Sequence, residues 1–544
     1  MKRIKRLVLF LLCAVLTLSS VACANDSSEH AHKTVHRTGI VPTCEKTGKL
    51  EHWECVVCDK LFADEKCTEE ISLVDVNLQR ADHSLENHEG HPATETDDGN
   101  IEYWTCSVCD KYFADSFGKS EIGEEDIVLD SLATLVDFVV PIPDEKDPIV
   151  LQLADPQLID TSTMRSADRL GQTMIDRWNK DSREELCYKY IRETINTVKP
   201  DLILLTGDII YGEFDDDGHL HTEFIKFMDS FDIPWAPIMG NHDIETAMGA
   251  DWICEQYESA PNCLFKQGDI SGNGNYTVGI KQNGKLTRVF VNMDTNGCTG
   301  ASISSKANGQ TVTKEDNSYG VYAGVYGLQK DQVKWFTDTV NGIKSFVPDV
   351  KISFQFHIPM KFFSVAYNNA YKAKVGDPVA QIELESGGYT EKGKVLYPER
   401  IVGHAVSDFG YLPSLDSWTP DFWDTATTNG AGKEHEIYYK MKETGVDSIF
   451  VGHIHENSIS VVYDGIRFQF GQKCSLYDTS PMIRSNGTIY ADPSGGLNDG
   501  TPLVGGTVIP LAKVTGEILN PYIYFCSGAG KEINWDQYKN TIGA

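Results

Sequence analysis

Five short polar clusters, each set at the C-terminal end of an apolar run, constrain this chain more than any other feature. Ile149 to Leu153 leads to Asp155 and Gln157, and Leu202 to Leu205 leads to Thr206-Gly207-Asp208. A third run passes Pro234 and reaches Gly240-Asn241-His242-Asp243. Lys351 to Phe356 delivers His357, and Ser448 to Val451 delivers Gly452-His453-Ile454-His455. Helical periodicities lie between the runs. Leu186, Tyr190, Ile191, Thr194, Ile195 and Val198 follow a capping box at Ser182-Arg183-Glu184-Glu185 and stop at Pro200. Phe224, Phe227, Met228 and Phe231 form a second set, and Val333, Phe336, Val340 and Ile343 a third. The alternation predicts an α/β fold, in which sites gather beyond the carboxyl ends of strands because the loops there converge on a rigid base.

Together the clusters supply Asp155, Gln157, Asp208, Asn241, His242, His357, His453 and His455. Carboxylate, imidazole and amide oxygen in one place suit divalent or trivalent transition metals, whereas calcium prefers oxygen alone. The groups outnumber the ligands of one tetrahedral site and suit two metals bridged by an aspartate. Such a pair lowers the pKa of a shared water and clamps the attacking and leaving oxygens of an in-line displacement. A single His or Asp at a strand end is usually a cap or a satisfied polar group. Five clusters in this order are poorly explained that way.

Asp155-Pro156-Gln157, Gly207-Asp208-Ile209-Ile210-Tyr211, Gly240-Asn241-His242-Asp243, His357 and Gly452-His453-Ile454-His455 resemble the signature of the calcineurin-like metallophosphoesterases, from about residue 149 to at least 475. Trp235-Ala236-Pro237, Gly274-Asn275-Tyr276 and Phe356-His357-Ile358-Pro359 resemble that superfamily's purple-acid-phosphatase-related branch. The resemblance implies a four-layer αββα sandwich with two metals (Fe, Mn or Zn) at one edge. One metal would take Asp155, Asp208 and His455; the other would take Asp208, Asn241, His357 and His453. His242 would act as general acid or stabilise the phosphoryl oxygens, and a metal-bridging hydroxide would be the nucleophile. Gln157 departs from the pattern, since many relatives place a ligating His there, so it is a candidate ligand directly or through water. Tyr211 lies where purple acid phosphatases place a tyrosinate; it is a candidate iron(III) ligand, or a packing residue at a strand end.

Upstream, residues 52–64 (HWECVVCDKLFAD) recur as residues 103–115 (YWTCSVCDKYFAD), so Cys55 and Cys58 map onto Cys106 and Cys109. Each unit is too small to stand on its core alone and calls for a staple. Zinc on the Cys-x-x-Cys pairs is one, with Cys44 and one of His32, His36 or His52 completing the first module, and His83, His88 or His91 serving the second. These modules resemble Cys-rich repeats of secreted Gram-positive bacterial proteins. Disulfides are the alternative in an exported chain, although a Cys-x-x-Cys loop is too short to constrain much. A Pro141, Pro143 and Pro148 stretch reads as a linker. The expected layout is therefore a signal at 1–24, repeat modules at 25–80 and 81–138, and a catalytic domain at 139–544.

Lys2, Arg3, Lys5 and Arg6 precede an apolar run from Leu7 to Leu18, the form of an export signal. Cleavage after Ala24 gives a secreted chain; a lipobox reading of Ser20 to Cys23 gives a surface protein anchored through acylated Cys23, the expected membrane tie. Lys and Arg number 48 against 79 Asp and Glu, a formal charge of −31, which argues against a nucleic-acid-binding surface. The expected partner is a small-molecule or surface phosphoester; the sequence leaves oligomeric state open. The long stretch between His357 and His453 has the character of a lid or surface subdomain, with His404, Asp408 and Tyr411 as candidates. Asp269 to Tyr276 reads as a substrate-side loop or a turn cluster, and Asp215-Asp216-Asp217 as a solvated run. Cys254 and Cys263 are expected to pair. The function these features point to is an exported dinuclear phosphoesterase acting on phosphomonoesters. Its rivals are a phosphodiesterase or nucleotidase on the same site, and a catalytically silent surface-binding protein.

Overall fold

The computed structural model describes residues 31–160, 183–212, 217–246, 248–295, 330–360, 434–455, 457–476 and 501–526, with short pieces between them. The export signal, the cap at Ser182, and His404, Asp408 and Tyr411 lie outside the described residues. Two compact units form, Met1–Ser131 and Leu132–Ala544. No helix among the described residues is long and apolar enough to cross a membrane.

In the first unit, two four-stranded sheets have the same plan. Thr34–Arg37, His52–Cys55, Leu61–Phe62 and Glu70–Ile71 make one; Leu85–His88, Tyr103–Cys106, Tyr112–Phe113 and Glu121–Ile122 make the other. Their registers match, with Thr34 opposite Cys55 and Leu85 opposite Cys106. Each sheet buries one Phe, Phe62 or Phe113, against its cysteines. Cores this small hold little stability, so the thiols packed into them carry unusual weight.

Two larger sheets build the second unit. The first joins β1 (Phe138–Pro141), β5 (Tyr276–Gln282), β6 (Lys285–Asn292), β7 (Lys351–Gln355), β9 (Val446–Val451), β11 (Ile466–Phe470), β10 (Ser460–Tyr463) and β8 (Ile401–Val402), in that spatial order. Strands β6, β7, β9 and β11 run parallel at its centre. The second sheet is ordered β4 (Trp235–Pro237), β3 (Leu202–Leu205), β2 (Ile149–Leu153), β12 (Val504–Pro510) and β13 (Tyr522–Cys526), with β2, β3 and β4 parallel. Strand β3 is fully buried, as an uninterrupted Leu-Ile-Leu-Leu run requires. Glutamines stitch the sheets together: Gln355 donates to the Leu205 carbonyl and Gln152 to that of Val451, each at 3.0 Å.

Helices cover the apolar faces. The helix α1 (Arg183–Val198) buries Cys187, Ile191 and Ile195, and ends where Lys199 turns left-handed before Pro200. Phe224 of α2 (His219–Asp229) meets Trp235 edge-on. On the larger sheet, Phe336 of α4 (Lys330–Phe346) packs across Phe354, while Ile437 and Tyr438 of α5 (Glu434–Glu443) join the same core. A further helix, α3 (Ala250–Ser259), buries Ile253 and Tyr257 against the smaller sheet's core.

Several local expectations need correction. The Pro-rich stretch is not a free linker: Phe138–Pro141 is an edge strand paired with β5, and the Pro143 and Lys146 carbonyls accept from Gln282. An edge position tolerates the missing proline N–H. Buried Leu135 and Val136 belong to this unit too, which starts at Leu132 and not at 139. Asp215 is not solvated but fully buried, accepting from His221 Nδ1 at 2.9 Å. Cys254 and Cys263 are both buried and unpaired with each other. Asn273 and Asn275 are buried as well, Asn275 being tied to Ser271 and Gln332.

Arg288 of β6 is wholly buried and forms a two-pronged bond to Asp447, both contacts at 2.7 Å, while its Nε donates to the Gly516 carbonyl. Replacing it strands a carboxylate and a carbonyl together. Arg288→Leu is expected to cost about 3 kcal/mol, read from the urea unfolding midpoint of this unit. An unchanged midpoint would show that the pair does not hold the β6 and β9 ends in register.

Candidate metal centre

All five polar clusters follow parallel strands: β2, β3 and β4 in one sheet, β7 and β9 in the other. Strands that run in the same direction end at the same side, so the clusters meet. Leaving a strand abruptly enough to turn a side chain inward demands unusual backbone. Asp155 has φ 49°, Gln157 45°, Asp208 49° and His453 71°, all in the left-handed region. Each such non-glycine conformation costs about 1–3 kcal/mol and is held only by dense surroundings. Gly240 shows how dense: a Cβ there would lie 2.3 Å from the Asp208 amide nitrogen and Oδ1. Only glycine lets the Asn241-His242 loop come that close.

Asp208 is the hub. Its Oδ1 accepts the His242 backbone N–H at 2.8 Å. Its Oδ2 lies 3.2 Å from His357 Nε2 and accepts from Gln157 Nε2 at 3.1 Å. Two groups of potential ligands share it: Asp208, His357 and His453 form one, and Asp155, Asp208 and His455 the other, with ligand atoms in each group within 4.8 Å of one another. Asn241 Oδ1 adjoins the first group, 3.2 Å from His357 Nε2. Gln157 adjoins the second, its Nε2 2.9 Å from His455 Nε2.

Lone pairs crowd this spot. His357 Nδ1 donates to the Thr206 carbonyl at 2.7 Å, which leaves Nε2 as the acceptor of the neutral ring. That atom faces Asp208 Oδ2, Asn241 Oδ1 and His453 Nδ1, each at 3.2 Å. Lone pairs converging on one ring nitrogen call for a cation among them. In protein alone the cation is a proton: burial opposes charge on His357, but Asp208 and Asp155 outweigh it and push its pKa up to about 9. Burial, then the charge on His357, hold His453 well below its usual value. Burial likewise raises Asp155, whereas His357 and His242 overcome it to keep Asp208 well below the carboxylate range. Gln157 Oε1 is buried and without a partner. These residues fit a metal pair, because carboxylate, imidazole and amide oxygen groups suited to transition metals are gathered around Asp208.

His242 stands beside the hub. Its Nδ1 lies 2.7 Å from Glu245 Oε2, and its ring stacks on Tyr211 with centroids 4.0 Å apart. The side chain is 20% exposed, whereas Asp155, Asp208 and His357 are buried, so it faces the approach to the site. The sequence reading missed three supporting residues. Glu245 is brought round by a short 3-10 turn, Asp243–Glu245. Asp243, fully buried, accepts the Ile209, Ile210 and Gly240 N–H groups at 2.8, 3.0 and 2.7 Å. Lys473, also fully buried, donates to the Asp155 carbonyl at 2.8 Å. Only Asp243, adjoining the Asn-His pair, carried a signal in the sequence.

Residues 150–457, more than half of the chain, match the family described as calcineurin-like phosphoesterase. Among curated proteins, the chain is 31% identical over 101 residues to "Probable inactive purple acid phosphatase 14" of Arabidopsis thaliana, covering 17% of this chain and 25% of that protein. It is 27% identical over 255 residues to "Probable inactive purple acid phosphatase 29" of the same plant, covering 42% and 60%. The match thus spans a quarter of the first relative and three fifths of the second. A solved dimetal phosphatase from Danio rerio aligns with 69% of this chain and 99% of its own, at 10% identity and a TM-score of 0.31.

Asp243 fastens both loops that carry the hub. Asp243→Ala leaves three buried N–H groups without an acceptor and is expected to cost about 3 kcal/mol in urea denaturation. Metal retained after dialysis should fall with it. Full stability in this variant would remove Asp243 from the account of the site.

Proposed function

The chain belongs to the calcineurin-like phosphoesterase family, and we propose that it is a two-metal enzyme that hydrolyses phosphomonoesters. The observation that carries this reading is the sharing of Asp208 by two three-ligand clusters. One metal would be held by Asp155, Asp208 and His455, with the Gln157 amide beside it. The other would be held by Asp208, Asn241, His357 and His453. Iron, manganese and zinc all suit this donor set. When bound, such a pair supplies Lewis acidity and activates water for attack on phosphorus.

The chain's own groups do the rest. His242 holds a proton at Nε2 for the leaving alkoxide, because Glu245 occupies Nδ1 and stabilises the charged ring. Tyr211 stacks on that ring and restricts its rotation, which favours packing over ligation for this tyrosine. Asp208 is kept ionised by its neighbours, and Lys473 anchors the Asp155 turn. The same reading places helices outside two facing sheets, the four-layer αββα sandwich. It also makes the chain an exported protein, secreted or anchored through Cys23, with its small repeat modules ahead of the enzyme and any structural zinc there apart from this chemistry.

A silent domain is the specific rival, since two relatives carry names that mark them as inactive. Purified chain should hold two equivalents of metal in this unit, cleave p-nitrophenyl phosphate faster than its bis-ester, and lose turnover on chelation. His242→Ala should lower kcat about 10²–10⁴-fold with metal content unchanged. Glu245→Gln should lower it less. Full metal content with no turnover of any phosphoester supports the silent reading, and preference for the bis-ester moves the assignment to a phosphodiesterase.

A further inference from the structure

We propose that each N-terminal repeat holds one tetrahedral zinc, and that the second repeat takes its fourth ligand from the first. Cys44 joins His83, Cys106 and Cys109 in the second site, while His32, Cys55 and Cys58 gather in the first. This assignment is independent of the phosphoesterase reading. It also departs from chain order, which puts Cys44 with Cys55 and Cys58.

The second site is the better defined. Ligand atoms of Cys44, His83, Cys106 and Cys109 all lie within 4.8 Å of one another. Cys44 Sγ is 3.9 Å from Cys106 Sγ, and Cys109 Sγ is 3.5 Å from His83 Nδ1. Zinc bonds of about 2.3 Å to sulfur and about 2.0–2.1 Å to nitrogen give tetrahedral edges of about 3.8 Å between sulfurs and about 3.5 Å between sulfur and nitrogen. Both contacts match. Bonded sulfurs would be about 2.0 Å apart, so neither arrangement is a disulfide. Cys44 and Cys106 are buried with Phe113, and the loop carrying Cys44 is thereby drawn into the neighbouring repeat's core.

The first site repeats the geometry. His32 Nδ1 lies 3.5 Å from Cys58 Sγ, the same contact 51 positions earlier. Cys67 lies in the small core beside this site, and Gly118 occupies the equivalent position of the second repeat. Both residues are left-handed, at φ 58° and 67°. A Cβ on Gly118 would sit 2.9 Å from His83 Cδ2, on the ring edge away from the Nδ1 that faces Cys109. Cys67 packs with Cys55, Phe62 and Cys58. The second site draws its fourth ligand, Cys44, from the preceding repeat.

The test uses the full chain purified under reducing conditions. Excess p-hydroxymercuribenzoate displaces zinc from thiolates and leaves the carboxylate and imidazole centre alone; a zinc dye reads the release. Unmutated chain should release two equivalents. Cys44→Ser with Cys106→Ser should lose one equivalent, and Cys55→Ser with Cys58→Ser the other. Cys44→Ser with Cys55→Ser should lose both. If that last pair loses only one, Cys44 belongs to the first site and the proposal fails. Because serine variants can misfold, the unmutated chain reloaded with cobalt(II) is the second measurement. Sulfur-to-cobalt charge-transfer bands at two equivalents support the sites; their absence, with linked cysteines in non-reducing peptide maps, overturns them.

Discussion

One buried carboxylate organises the second unit. Asp208 is bonded through Oδ1 to the backbone of the loop after β4, and through Oδ2 to side chains from the loops after β2 and β7. An anion so enclosed is stable only if positive charge or N–H donors surround it. Those donors come from separate strands, so satisfying Asp208 and closing the two sheets on one another are the same event. The Gly240 approach follows from it, because nothing larger fits between the carboxylate and the loop that feeds it a hydrogen bond.

The strands explain why the donors meet at all. Parallel neighbours present their carboxyl ends together, and the inter-sheet bonds of Gln152 and Gln355 align the two sets. Side chains must then turn back over the ends, and four residues adopt left-handed backbone to do so. Hydrophobic burial in β2, β3, β7 and β9 provides the stability that this local strain consumes. Rigidity at the site and apolar density beneath it are thus one design requirement.

Much of this was legible in the sequence. Apolar runs at Ile149 to Leu153, interrupted only by Gln152, and at Leu202 to Leu205 become strands with those bounds, because β-branched and leucine-rich runs favour burial on both faces. The residues gathered at Asp208 were readable because their chemistry is distinctive and each follows such a run. Glu245 and Lys473 were not, since a charged side chain that becomes buried only through a turn or a long-range contact leaves no periodic trace. Nor was the Pro-rich edge strand, where composition spoke for a linker and pairing with β5 overruled it. Cys44 was misplaced for a related reason: proximity in the chain is a poor guide to proximity among short, crosswise loops. Asp215 shows the same limit, as three adjacent acids look alike until one is paired with a buried histidine.

The placement of Cys44 gives the repeat pair a direction. The trailing copy's small core is completed by a cysteine of the leading copy, packed with Cys106 and Phe113. Reversing the two, or excising the leading one, takes that cysteine out of the survivor's core. The tandem is thus an ordered assembly with a head and a dependent tail, and any spacer function it serves comes with built-in polarity.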